Sequence, residues 1–182
     1  IHAFREAGYQ TGVFSDFAGD IFHRMDLGFE TVEAPTFALD SNVRLLSWKL
    51  HLHMVAWLRT FGVQDLIPNV RAWERMPIAA AVTDDLLGWL SARDPGRPFV
   101  ATVFWSNPHF PFSAPYPFLR RHAVEGYDGP NRYLKNDMEP TADAAEKAQV
   151  DALYLASVDA VDREVARVVE ALDAAGLLDR TV

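Results

Sequence analysis

The sequence predicts an α/β fold with a mostly parallel sheet flanked by helices, and three observations predict it. Phe99 to Trp105 is apolar apart from Thr102 and rich in β-branched and aromatic residues. That is the composition of a short strand buried on both faces, as inside a parallel sheet. The run from Ala79 through Leu86, Leu87, Trp89 and Leu90 reads as a helix, stops at Asp94-Pro95-Gly96 and feeds directly into that strand, which makes an α/β unit. Beyond residue 143 an amphipathic pattern continues for some thirty residues, long enough to cover a sheet.

The 182 residues are enough for about one domain that buries roughly 70% of its unfolded surface. Hydrophobic residues make up 49% and charged residues 23%, the balance of a globular chain. The net charge of −8, without a basic stripe to offset it, repels a polyanion and excludes nucleic acid as a partner. There is no cysteine, so these residues hold no disulfide, thiolate metal site or cysteine nucleophile. No Gly-rich phosphate loop, G-x-S-x-G elbow, H-E-x-x-H or internal repeat is present.

Taken in order, Ile1 to Gly8 reads as the last turns of a helix closed by a glycine. Tyr9 to Phe14 is a short strand, with Ser15 and Asp16 at its carboxyl end and Asp20 in the loop beyond. Glu30 to Phe37 is suited to an extended course. Asp40-Ser41-Asn42 offers side-chain caps for a helix over residues 43–59, apolar on most of its surface. Such a helix is buried against protein or lies on a membrane surface. Within it His51 and His53, two apart, point to different sides and make poor joint metal ligands.

The stretch after the Phe99 strand is dense in proline. Pro108, Pro111, Pro115 and Pro117 argue against a strand or a regular helix there. His109 is the ionisable group between the first two, four residues past Trp105. In open α/β sheets ligands bind beyond the carboxyl ends of strands, so His109 is the leading candidate for chemistry. Residues 119–142 read as a long irregular segment, tinted basic by Arg120, Arg121, His122, Arg132 and Lys135, either a solvated loop or an attractor of anions. Asp143 with Glu146 fits a capping box with Asp in the Ser/Thr place. The helix it opens carries Val150, Tyr154, Val158, Val161, Val165, Val168 and Leu172 as its apolar stripe, Asp151, Asp159, Asp162, Glu164 and Arg167 on other sides, and Gly176 as its closing residue. Asp179 to Val182 resembles the lead-in to a further strand.

Several of these stretches together resemble the sulfatase family of the alkaline phosphatase superfamily. Ala7-Gly8-Tyr9-Gln10-Thr11 is similar to the family's A-G-Y-x-T passage. Asn107-Pro108-His109-Phe110-Pro111-Phe112 with Ala114-Pro115 resembles its P-H-x-P-[FY]-x-x-P loop. Tyr154, Ser157-Val158, Val161-Asp162 and Gly176-Leu177-Leu178-Asp179 resemble its long helix and the turn that follows. Each motif alone is weak, but they occur in the family's order from one end of the chain to the other.

The resemblance implies an alkaline phosphatase-like fold and places residues 1–182 as the central part of one catalytic domain, truncated at both ends. It implies a sulfuric ester hydrolase acting on a small-molecule or saccharide sulfate ester. His109 would be catalytic, binding the ester and helping the leaving group depart, and Asn107 would contact substrate. The nucleophile motif C/S-x-P-x-R, matured to formylglycine, and the ligands of a divalent cation, calcium in the family, would lie outside these residues, leaving no metal ligand in this chain and the stretch inactive alone. A periplasmic or membrane-associated place in a bacterium is the corresponding location, with membrane contact through helix 43–59.

One position departs from the family. Where many sulfatases continue the first strand into G-K-x-H, this chain has Ser15-Asp16-Phe17-Ala18, so Asp16 replaces a lysine and Ala18 a histidine. An anion in place of a cation beside a sulfate is unfavourable unless Asp16 faces a metal or turns away. Asp16 is therefore a substrate-site candidate. It also keeps open a phosphodiesterase, phosphonate hydrolase or phosphoethanolamine transferase of the same superfamily, and a non-catalytic binding segment is a further alternative.

Overall fold

A computed structural model describes residues 1–16, 19, 21–34, 79–109, 112, 114–133, 135 and 143–182. In chain order the described elements are α1 (His2–Glu6), β1 (Gln10–Ser15), α2 (Ile21–Arg24), β2 (Thr31–Glu33), α3 (Ala79–Ala92), β3 (Phe99–Phe104), α4 (Tyr116–His122), α5 (Ala144–Ala174) and a 3₁₀ turn at Leu178–Arg180. Their residues form two units, one within Ile1–Pro77 and Gly88–Phe104, the other within Ile78–Leu87 and Trp105–Val182. The predicted helix 43–59, its histidines and Asp20 lie outside the described residues.

The first unit holds a parallel sheet in the order β2-β1-β3, which bears out the α/β class. Gln10 to Ser15 pair in register with Phe99 to Phe104, and Gly12 to Phe14 with Thr31 to Glu33. The strand buried throughout is β1, not β3. Among the described residues β3 pairs on one side only, and Phe104 at its end is 44% exposed. The sequence of β1 conceals its burial because Gln10, Thr11 and Ser15 are polar, yet their polar groups are bonded, as burial requires. The Gln10 amide donates to the Asp94 carbonyl and accepts from the Asp94 N–H, clamping the turn before β3. Thr11 Oγ1 donates to the Gly28 carbonyl and accepts from the Glu30 N–H, clamping the approach to β2.

Arg97 completes this lacing at the amino ends of the strands. Its guanidinium donates to the carbonyls of Gly8 and Tyr9 and to the Glu30 carboxylate, at 3.0, 2.9 and 2.9 Å. Trp89 on α3 covers one face, with its ring 5.4 Å from that of Phe14 and 6.0 Å from that of Phe99. Gly12 admits that ring, because a Cβ there would stand 3.2 Å from Trp89 and 2.9 Å from the edge of Phe14. The glycine closure of α1 is as predicted. Gly8 has φ +87°, the Tyr9 N–H reaches back to the Phe4 carbonyl, and the Phe4 and Tyr9 rings pack at 5.3 Å, the apolar contact of a Schellman motif.

In the second unit α5 runs for 31 residues. Asp143 caps it by accepting from the N–H groups of Ala145 and Glu146. Gly176, at φ +63°, closes it with the Leu177 N–H on the Leu172 carbonyl. The buried face differs from the predicted stripe. It consists of Gln149, Ala152, Leu153, Ala156, Ser157, Ala160, Glu164 and Leu172, whereas Tyr154, Val158 and Val165 are about 40% exposed. Small side chains let neighbouring backbone approach closely, and α4 packs along this helix. Glu164, expected on a solvated side, is buried and accepts from Arg167, which also donates to Asp84 on α3.

Two further expectations are corrected. Residues 116–122 are helical despite Pro115 and Pro117, because Pro115 is the cap and Pro117 sits in the first turn, where no N–H is needed. Leu178–Arg180 forms a 3₁₀ turn before any extended course begins.

Candidate active site

Past β3 the chain enters the second unit through Trp105, whose indole N–H donates to Thr83 Oγ1 on α3. Ser106 and Asn107 follow, both buried at 4% and 3% exposure. The His109 N–H donates to the Ser106 carbonyl at 2.6 Å, closing a four-residue turn. The fixed end of that turn is the buried Asn107, and its open end is the exposed imidazole of His109. The turn thus joins two of the residues singled out by sequence, with His109 five residues beyond the last residue of β3. An imidazole held there is placed to act as a proton donor or acceptor toward a bound group.

The loop carrying His109 is tied down three residues later. Phe112 forms an antiparallel bridge with Lys135, whose N–H donates to the Phe112 carbonyl at 3.2 Å. The ring of Phe112 stands edge-on to that of Tyr154 on α5, at 5.6 Å. Lys135 itself is only 7% exposed. The sequence marks Lys135 only as part of a basic tint, and its burial goes unsignalled because it sits in a polar segment with no periodicity.

Asp16 is the residue immediately after β1, in the first unit, and is 3% exposed. Its carbonyl accepts from the Gly19 N–H at 2.9 Å. The carboxylate is thus withdrawn from solvent at the carboxyl end of the central strand. Among the described residues no three His, Cys, Asp or Glu side chains gather as a metal site, and no helix is long and apolar enough to cross a membrane.

The basic tint of residues 119–135 is partly engaged in structure. Arg121 Nη1 and His122 Nε2 both lie 3.1 Å from Asp159 Oδ2, and Arg132 lies over the Tyr133 ring. The hydrogen bond from His122 is the largest cause holding the Asp159 carboxyl below its ordinary value; burial opposes it and Arg121 adds to it. A carboxyl whose folded pKa is lowered stabilises the fold above its unfolded pKa, and that contribution disappears as pH falls through the folded value. The thermal midpoint of Asp159→Asn is therefore expected to fall below that of the unchanged protein near neutrality and to converge with it in acid. Melting curves from about pH 2 to pH 7 check this, since the ordinary aspartate value is about 3.9. A gap that stays constant down to the lowest pH refutes it.

Comparison with known proteins agrees with the geometry. The family model described as Sulfatase matches residues 1–182. Among solved structures the chain is similar to the crystal structure of phosphonate monoester hydrolase of Agrobacterium radiobacter, with a TM-score of 0.57 and 17% identity. The likeness covers 97% of this chain and 44% of that chain, so these residues span less than half of that neighbour's length. At that identity it shows the fold, which is alkaline phosphatase-like. No curated protein matches.

Proposed function

The chain belongs to the sulfatase family, and from that membership we propose that the whole protein is a metal-dependent hydrolase of sulfuric esters in which His109 assists the leaving group. The observation that carries this reading is the family match over residues 1–182, which takes in the exposed His109 on its turn. The ester S–O bond breaks as sulfur bonds to a nucleophile that the proposal places outside these residues, and the departing oxygen takes on negative charge. A protonated imidazole beside that oxygen gives up its proton, and the alcohol leaves neutral. Asn107 at the base of the turn is the substrate-binding partner proposed for the same ester. Its burial fixes the backbone from which His109 projects.

Among the described residues no group of three His, Cys, Asp or Glu side chains could hold a divalent cation. Calcium, bound by residues other than these, and a formylglycine made from a Cys or Ser outside the 182 residues complete the proposal. The substrate class is a small-molecule or saccharide sulfate ester. The location is periplasmic or membrane-associated in a bacterium, with residues 43–59 as the membrane contact. A second reading, hydrolysis of a phosphate or phosphonate ester, is favoured by the buried Asp16 in the place of a lysine.

The test is turnover of an aryl sulfate and an aryl phosphate by the whole protein, after chelation and after calcium is restored. Sulfate turnover that vanishes on chelation and returns with calcium is expected, with none from the isolated 182 residues. Preference for phosphate selects the second reading. Turnover of neither ester overturns both.

A further inference from the structure

We propose that Gln149 and Tyr154, on α5, are positioning residues for the His109 loop, an inference that rests on the catalytic reading of His109. Gln149 is 1% exposed, yet it faces no helix partner through its amide. Its Nε2 donates to the Arg132 carbonyl at 2.9 Å and its Oε1 accepts from the Val124 N–H at 3.0 Å. One side chain thereby fixes both ends of the segment between α4 and residue 133. Asn131, also buried and next to Arg132, donates to Glu146 one helical turn earlier at 2.6 Å and reinforces that end of the segment.

Three residues beyond Arg132 comes Lys135, whose backbone bridges Phe112. Phe112 is in turn three residues from His109, a reach of about 11 Å at most. The Tyr154 ring meets Phe112 from α5 itself. The His109 loop is thus braced on one helix twice, directly through Tyr154 and indirectly through Gln149, Arg132 and Lys135. A buried amide with both of its polar ends bonded to irregular backbone has a single satisfied arrangement, so it sets a position rather than merely filling space. Leaving-group assistance depends on sub-ångström placement, and small misplacement of a reacting group costs on the order of a hundredfold in rate.

The variants are Gln149→Glu and Tyr154→Ala in the whole protein, beside His109→Ala. Gln149→Glu keeps the acceptor for Val124 but sets a carboxylate oxygen against the Arg132 carbonyl, and protonation in acid restores a donor there. The readout is kcat/KM on a series of aryl sulfates whose phenols differ in acidity, with amide hydrogen exchange at Phe112 and Lys135 measured in parallel. Expected are losses of about tenfold or more for the least acidic phenols and much smaller losses for the most acidic. The Gln149→Glu defect shrinks as pH falls, and the Lys135 amide loses protection in both variants. A loss equal for all phenols, or no loss, overturns the proposal. Intact protection at Lys135 in both variants also overturns it. If His109→Ala itself shows no dependence on the phenol, the catalytic reading fails instead, while the exchange data still report whether α5 positions the loop.

Discussion

Replacing His109 by alanine in the whole protein is expected to lower kcat/KM for an ester of a poorly acidic alcohol by on the order of 10²- to 10⁴-fold, the usual worth of one general acid. The size follows from what the residue does in the proposed reaction. Without a proton donor the departing oxygen leaves as a full anion, and the barrier rises with the basicity of that oxygen. For a strongly acidic phenol the same substitution should cost little. Folding gives the second half of the prediction. The imidazole is exposed, and the turn is closed by the His109 backbone N–H on the Ser106 carbonyl, which alanine retains. Stability should therefore move by no more than about 0.5 kcal/mol, as for an ordinary surface change. Steady-state kinetics on two aryl sulfates and a thermal melt decide it. Unchanged turnover of the poorer leaving group would remove His109 from the mechanism, and a collapsed melting point would recast it as structural.

The sequence announced some parts of this arrangement and hid others, for physical reasons. The helix over 79–92, its Asp-Pro-Gly stop and the strand after it are local features, each written in consecutive residues. So are the glycine closures at Gly8 and Gly176, where positive φ makes glycine the fitting residue. Burial was harder to read. β1 is the central strand, but its polar residues are satisfied by Asp94, Gly28 and Glu30, partners distant in sequence. The valines of α5 are the greasier stripe, yet the face it buries, besides Leu153 and Leu172, is built of alanine, serine, a bonded glutamine and a paired glutamate. Hydrophobicity ranks those residues low, while close packing favours them. For the site, His109 stood out because it is the ionisable group between two prolines just past the carboxyl end of a strand. Lys135 showed only as part of a basic tint and Tyr154 only as part of an apolar stripe and a motif; their bracing roles, and that of Gln149, were hidden because Lys135 acts through its backbone, Gln149 through loop backbone 17 and 25 residues away, and Tyr154 through a ring in the proline-rich loop. The same limit explains the misread helix at 116–122. Proline breaks a helix only where its missing N–H was needed, and its place in the turn is decided by the neighbouring structure.

Phe14→Ala should produce the largest loss of stability, about 3–5 kcal/mol. Phe14 has no exposed surface, lies on the central strand and stacks at a tilt against Trp89. Its neighbours cannot close the gap cheaply, since β1 is hydrogen-bonded to a strand on each side and Gln10 and Arg97 hold the strand ends. A loss of that size is a large share of the roughly 5–15 kcal/mol that separates folded from unfolded domains. Phe14→Leu keeps part of the volume and should lose clearly less. Urea unfolding of the whole protein measures both, and a Phe14→Ala cost below about 1 kcal/mol would mean that the sheet relaxes around the cavity. The pair of substitutions also separates two kinds of dependence. Phe14→Ala should reduce the amount of folded enzyme and so depress turnover of every ester alike, with the ratio between good and poor leaving groups preserved. His109→Ala should alter that ratio and leave the unfolding midpoint in place. If Phe14→Ala also changed the ratio at temperatures where the protein is fully folded, the core of the sheet would be setting the position of the His109 turn as well as supporting the fold.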